Sequence, residues 1–110
     1  MNINIEELIK CIEKRPGMYV EELNFDYLFH FIRGFLYHNS SINNINEIFK
    51  DEFHEWVQKW IENDKNILFE EERDYHYYIQ NVCETQEECF ELFFKLCHIF
   101  FDELREKHMI

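Results

Sequence analysis

Turn-forming residues are the scarcest feature of this chain: two glycines, Gly17 and Gly34, and one proline, Pro16, in 110 residues. Sandwiches and barrels turn after every short strand and need Gly, Pro or Asn-Gly at many of those turns. A chain this poor in breakers is steered to long helices joined by few connections. Its apolar residues follow the same rule. They recur every three or four positions, the spacing that places them on one face of a helix.

Five helical segments and no strand follow from that spacing. The first covers about residues 4–14, with Ile5, Leu8, Ile9 and Ile12 on one face. Asn4 and Glu7 stand at the separation of a capping box, in which each side chain takes up a backbone N–H left free at the helix start. Pro16 disfavours a helical Arg15 and Gly17 permits a left-handed turn, so the helix stops there. The second covers about residues 24–37, with Phe25, Leu28, Phe29, Ile32, Phe35 and Leu36 at helical spacing. Gly34 in its interior costs about 1 kcal/mol relative to Ala, which predicts a close approach by another helix.

Residues 39–44 read as a loop, and Asn44 with Glu47 as a second capping box. The third helix, about residues 45–62, carries Ile48, Phe49, Phe53, Trp56, Val57, Trp60 and Ile61, and Asn63 and Asp64 mark its end. Residues 65–71 form a connector, and Tyr75, Tyr78, Ile79 and Val82 a short fourth helix. Thr85 with Glu88 opens a fifth that persists to about Lys107. Phe90, Phe93, Phe94, Cys97, Phe100, Phe101 and Leu104 line one of its sides, and Leu92, Leu96 and Ile99 a second. A helix apolar over so much of its girth belongs at the centre. The expected fold is all-α, a single compact bundle of about five helices over residues 1–110.

Composition narrows the function. Hydrophobic residues make up 46 % of the chain and aromatics 18 %, enough apolar surface to offset the ordering entropy, so a disordered chain is excluded. Against 11 Lys and Arg stand 23 Asp and Glu, a formal net charge of −12. Binding a phosphate backbone needs a surplus of cations; the expectation is no nucleic acid but a basic protein as partner. No stretch reaches the roughly 20 apolar residues of a membrane span. The richest, residues 90–101, is cut by Glu91, Lys95 and His98, so no membrane is expected as a partner either. The first seven residues show no cationic region followed by an apolar run, so no secretory signal is expected. Cys11, Cys83, Cys89 and Cys97 form no C-x-x-C pair. They are expected to be reduced structural thiols of a cytoplasmic protein, Cys11 and Cys97 on buried helix faces.

Sites of chemistry are sparse. His54-Glu55-Trp56-Val57-Gln58 has glutamine where a zinc-binding helix motif needs its second histidine, and Asp51-x-x-His54 occurs once where a di-metal bundle needs two such units. Cys97 and His98 are neighbours on a helix and diverge by roughly 100°, so they cannot pair as nucleophile and base. Glycine-rich phosphate loops and nucleophile elbows are missing. No catalytic residue, metal or cofactor is expected. Acidic clusters remain: Glu21-Glu22 and Asp26, Asp51 with Glu52 and Glu55, Glu70-Glu71-Glu72 with Asp74, and Glu84, Glu87, Glu88 and Glu91. Acids in a helix's first turn complement its dipole, which accounts for Glu87 and Glu88. It does not account for the triple glutamate, where like charges repel beside Tyr75-His76-Tyr77-Tyr78. Acids next to tyrosines suit a protein contact, the charges speeding association and the rings supplying area.

Two resemblances attach to the start of the chain. Lys14-Arg15-Pro16-Gly17-Met18-Tyr19-Val20 resembles the K-R-P-G-M-Y-I-G segment of gyrase-type ATPase domains. Glu21 replaces the final glycine, however, and the acidic residues and lid that hold nucleotide in that family have no counterpart here. Over about residues 5–37, a short helix, the Arg15-Pro16-Gly17-Met18-Tyr19 turn and Leu28-Phe29-His30-Phe31-Ile32-Arg33-Gly34 resemble small acidic bacterial immunity proteins encoded beside polymorphic or contact-dependent growth-inhibition toxins. That resemblance implies a cytoplasmic, non-enzymatic inhibitor. It would bind the C-terminal nuclease domain of a secreted toxin, an RNase foremost, and cover its basic active-site cleft. The expected toxin-binding residues are Glu70, Glu71, Glu72, Asp74, Tyr75 and Tyr77, with Asp51 and Glu55 as a second patch. Met18 and Tyr19 are expected to pack between helices. The alternatives are an acidic regulatory or adaptor protein for another basic partner and, more remotely, an enzyme with a concealed metal or thiol site.

Overall fold

The computed structural model of the chain describes residues 3–19, 23–39 and 44–110. Five α-helices run in order: α1 (Ile5–Lys14), α2 (Phe25–Asn39), α3 (Asn44–Lys65), α4 (Tyr75–Val82) and α5 (Gln86–Glu106), with a 3₁₀ turn at Pro16–Met18 between the first two. No strand occurs among the described residues, and the all-α bundle expected from the apolar spacing is the fold that forms. Glu21, Glu22 and the loop residues 40–43 lie outside the described residues.

Side chains start most of these helices. Asn4 Oδ1 accepts the Glu7 N–H at 2.9 Å while Glu7 Oε1 accepts the Asn4 N–H at 3.1 Å, completing the capping box. Asn24 Oδ1 accepts the N–H groups of Asp26 and Tyr27. Asp74 and Thr85 cap α4 and α5 through the N–H groups of Tyr77 and Glu88. Asn44 departs from expectation: it is already helical, and its side-chain amide donates to the Met109 carbonyl at 3.2 Å. The end of α3 also moves, past Asn63 and Asp64 to Lys65. Asn66 takes a left-handed conformation, φ 55°, and the Ile67 N–H reaches back to the Glu62 carbonyl at 3.2 Å. That pair of features is a Schellman closure, in which the residue after the helix satisfies an orphan carbonyl.

The two long helices form the centre. α3 and α5 pack against each other and against all three remaining helices. Phe49 stacks on Phe53 at 4.3 Å, and Phe53 meets Phe100 of α5 edge-on at 5.1 Å. Phe93 receives Phe25 from α2 and Tyr75 from α4. Each such ring removes apolar area worth about 1.5–3 kcal/mol from water. Among the described residues one polar side chain is fully enclosed: Asn46 accepts the Ile5 N–H at 2.7 Å and donates to the Asn39 carbonyl at 3.0 Å. It fastens the start of α1 and the end of α2 to α3. Glu6 is also buried, paired with Arg105 of α5 and with Lys10 at 3.6 Å.

Three smaller expectations are corrected. Gly34 is exposed, and among the described residues a Cβ built on it meets nothing within 4 Å, so no described helix approaches it. Met18 is 69 % exposed instead of packed between helices, whereas Tyr19 does reach Phe31, at 5.9 Å. Cys11 is exposed, because Leu8, Ile9 and Ile12 fill the buried arc of α1.

Candidate functional site

Glu70, Glu71 and Glu72 stand exposed on the connector between α3 and α4. That connector is tied down at both ends. Phe69 donates its N–H to Glu62 Oε2 at 2.9 Å and lays its ring against Tyr78 at 4.8 Å. The Arg73 N–H donates to the Tyr78 hydroxyl, which itself donates to Gln58 Oε1 on α3 at 3.2 Å. Asp74 then caps α4 through the Tyr77 N–H at 2.9 Å. The acids are thereby held on a fixed strap, which lowers the ordering cost of a contact made there.

Cations touch this strap once. Arg73 Nη1 lies 3.2 Å from Glu71 Oε2, and its guanidinium sits 4.7 Å over the half-buried Tyr77 ring. Glu70 and Glu72 have no cationic partner among the described residues. Neither do Asp51, Glu52, Glu84, Glu87 and Glu91, all exposed. Asp51 and Glu55 lie one turn apart on α3, and Glu55 pairs with Lys59 at 3.0 Å. No hydrogen bond or ion pair joins these two acids to the Glu70–Asp74 strap among the described residues.

Tyr75 leaves the candidate surface. It is 3 % exposed, because Tyr75, Tyr78 and Ile79 form the buried arc of α4 while Tyr77 stays half-buried at its edge. Its ring stacks on His54 at 5.2 Å and on Phe93 at 5.4 Å. Its N–H donates to His54 Nδ1 at 3.0 Å. The hydroxyl has no hydrogen-bond partner among the described residues. Burial, and after it the nearby Cys97 and Asp74, push the phenol well above its ordinary pKa.

His54 is therefore structural on one side. An Nδ1 that accepts a backbone N–H leaves the ring proton on Nε2. Burial lowers the imidazole pKa, opposed by the Asp74 charge. Among the described residues no three or more His, Cys, Asp or Glu gather as metal ligands. All four cysteines are free. Burial, then the adjacent Cys89, pushes the Cys83 thiol up to about 12, and burial raises Cys89 and Cys97 as well. Such thiols hold little thiolate at neutral pH.

The same region contains a pocket of about 470 Å³ between α2, α3 and α4. Phe29, Leu36, Phe49 and Tyr75 line it with buried apolar surface, and Arg33, Tyr37, Lys50, His54 and Asp74 complete it. Its polar members had a signal in the sequence, because Arg33 with Tyr37 and Lys50 with His54 are each one helical turn apart. Helical spacing alone does not say that the two pairs face each other.

Comparison with protein-family models, with curated proteins and with solved structures finds no match to this chain. No helix among the described residues is long and apolar enough to cross a membrane.

Proposed function

We propose that this chain is a cytoplasmic, non-enzymatic inhibitor of the immunity-protein kind, which neutralises a toxin nuclease domain by covering its basic cleft. The observation that carries the reading is the rigid, largely unneutralised acidic surface, with the strapped Glu70–Asp74 segment as its firmest part. A nuclease that grips RNA or DNA presents cations to phosphates, and carboxylates fixed on a helical body can take the place of those phosphates. Exposed like charges have little use within the fold, since they repel one another. Facing a cationic cleft they raise the association rate and fix the register. A stable pair buries about 1,200–2,000 Å² in total. Glu70, Glu71, Glu72, Asp74 and Tyr77 would form one contact, and Asp51 and Glu55 a second.

Co-expression with the C-terminal nuclease domain of a toxin encoded beside this chain tests the reading. The expected result is restored growth and a stoichiometric complex on purification. Persistent growth arrest with soluble, folded inhibitor present would overturn it, and is the outcome for an adaptor that serves a different basic protein.

A further inference from the structure

We propose that the pocket between α2, α3 and α4 is a binding site for a small organic anion, a carboxylate or phosphate carried on an apolar ring or branched chain. The inference is independent of the toxin-inhibitor reading, and it concerns a place where this acidic protein presents two cations over an apolar recess.

The chemistry of the lining is divided. Phe29, Leu36, Phe49 and Tyr75 are each at most 7 % exposed and make an apolar floor. Arg33 and Lys50 stand exposed on facing helices at the rim, with Tyr37 beside them. Acids outnumber Lys and Arg by 23 to 11, and elsewhere Lys10, Lys59, Lys65, Arg73 and Arg105 each hold a carboxylate within 4.0 Å. Arg33 and Lys50 hold none among the described residues, and neither do Lys14, Arg15, Lys95 and Lys107; what distinguishes Arg33 and Lys50 is that both line the same apolar pocket. Two cations that converge on one apolar recess can take up a negative charge brought in from outside. Arg33 supplies a planar fork matched to carboxylate or phosphate, and Lys50 a compact point charge.

Asp74 is the one acid in the lining, and it is already occupied: its Oδ1 accepts the Tyr77 N–H at the start of α4. With His54 neutral, two cations and one carboxylate leave the lining at a net charge of +1, which favours an anion over a neutral molecule. His54 contributes an Nε2–H donor, since Nδ1 is engaged by Tyr75. A volume of about 470 Å³ falls in the roughly 300–1,000 Å³ range of small-molecule sites, which combine apolar walls with a few convergent polar groups.

The test is a ¹H–¹⁵N NMR titration of the full chain with 3-phenylpropionate, phenyl phosphate and the neutral 3-phenylpropionamide. It is repeated on the double variant Arg33→Gln/Lys50→Gln, whose exposed substitutions leave the core intact. The expected result is saturable shifts at pocket residues of α2, α3 and α4 with at least one anion, the better of the two identifying carboxylate or phosphate. The double variant should weaken that anion by about fivefold to thirtyfold, and the amide should bind comparably weakly to both proteins. Absence of saturable shifts with both anions overturns the proposal. So does undiminished anion binding by the double variant, or equal binding of amide and acid by the wild type. A protein that fails to rescue growth but passes this titration separates the pocket from the inhibitor reading.

Discussion

Replacing Tyr75 by Phe should stabilise the protein, although the residue is buried at the meeting point of four helices. The hydroxyl is enclosed and has no hydrogen-bond partner among the described residues. An unsatisfied buried polar group costs about 1–3 kcal/mol, and removing it leaves the ring contacts with Phe29, Phe53, His54 and Phe93 in place. A gain of about 1 kcal/mol is expected, equivalent to about 4–8 °C in Tm for a domain near this size. Tyr78, three residues on and equally buried, supplies the control. Its hydroxyl accepts the Arg73 N–H and donates to Gln58, so Tyr78→Phe removes two bonds and should cost about 1–2 kcal/mol. Urea unfolding followed through Trp56 and Trp60 reads both, as opposite displacements of the midpoint at unchanged m. A Tyr75→Phe midpoint lowered as far as that of Tyr78→Phe would refute the reasoning, because the hydroxyl would then be bonded in solution.

Gly34→Ala should add about 0.5–1 kcal/mol, since the site is helical, exposed and open around a new Cβ; a loss of stability in urea would contradict this. Asn46→Ala leaves the Ile5 N–H and the Asn39 carbonyl unpaired and should cost about 2–4 kcal/mol, measured the same way. His54 titrates below its unfolded value of about 6.5, so the unfolded state binds its proton first. Its contribution is complete above about pH 6.5 and is lost as pH falls through the lowered folded value. Wild type should therefore lose stability on acidification relative to His54→Asn, whose Oδ1 keeps an acceptor for the Tyr75 N–H without titrating. A difference between the two that is flat from pH 7.5 to 5 would exclude this linkage.

Helical periodicity and capping residues made the fold legible, because both are local. Asn4, Thr85 and the apolar stripes of α3 and α5 each specify their element without help from distant parts of the chain. Gly34, Met18 and Cys11 depart from expectation for one reason: whether a helical position is covered depends on the tertiary arrangement, which local spacing does not contain. Tyr75 shows the same limit at the candidate surface. Its place beside Tyr77 suggested a shared exposed cluster, while its register with Tyr78 and Ile79 already marked it for the core. The pocket was the least legible feature, since Arg33, Lys50 and His54 come from two helices that meet only in the folded chain.

Association kinetics with a toxin nuclease domain test the central claim most directly, measured by stopped flow at about 20 and 200 mM salt for wild type and Glu71→Lys/Glu72→Lys. The account predicts fast association that slows steeply with salt, and a charge-reversed variant that associates about tenfold more slowly at the lower salt and nearly normally at the higher. Rates independent of salt and identical in the two proteins would show that these carboxylates do not guide the encounter.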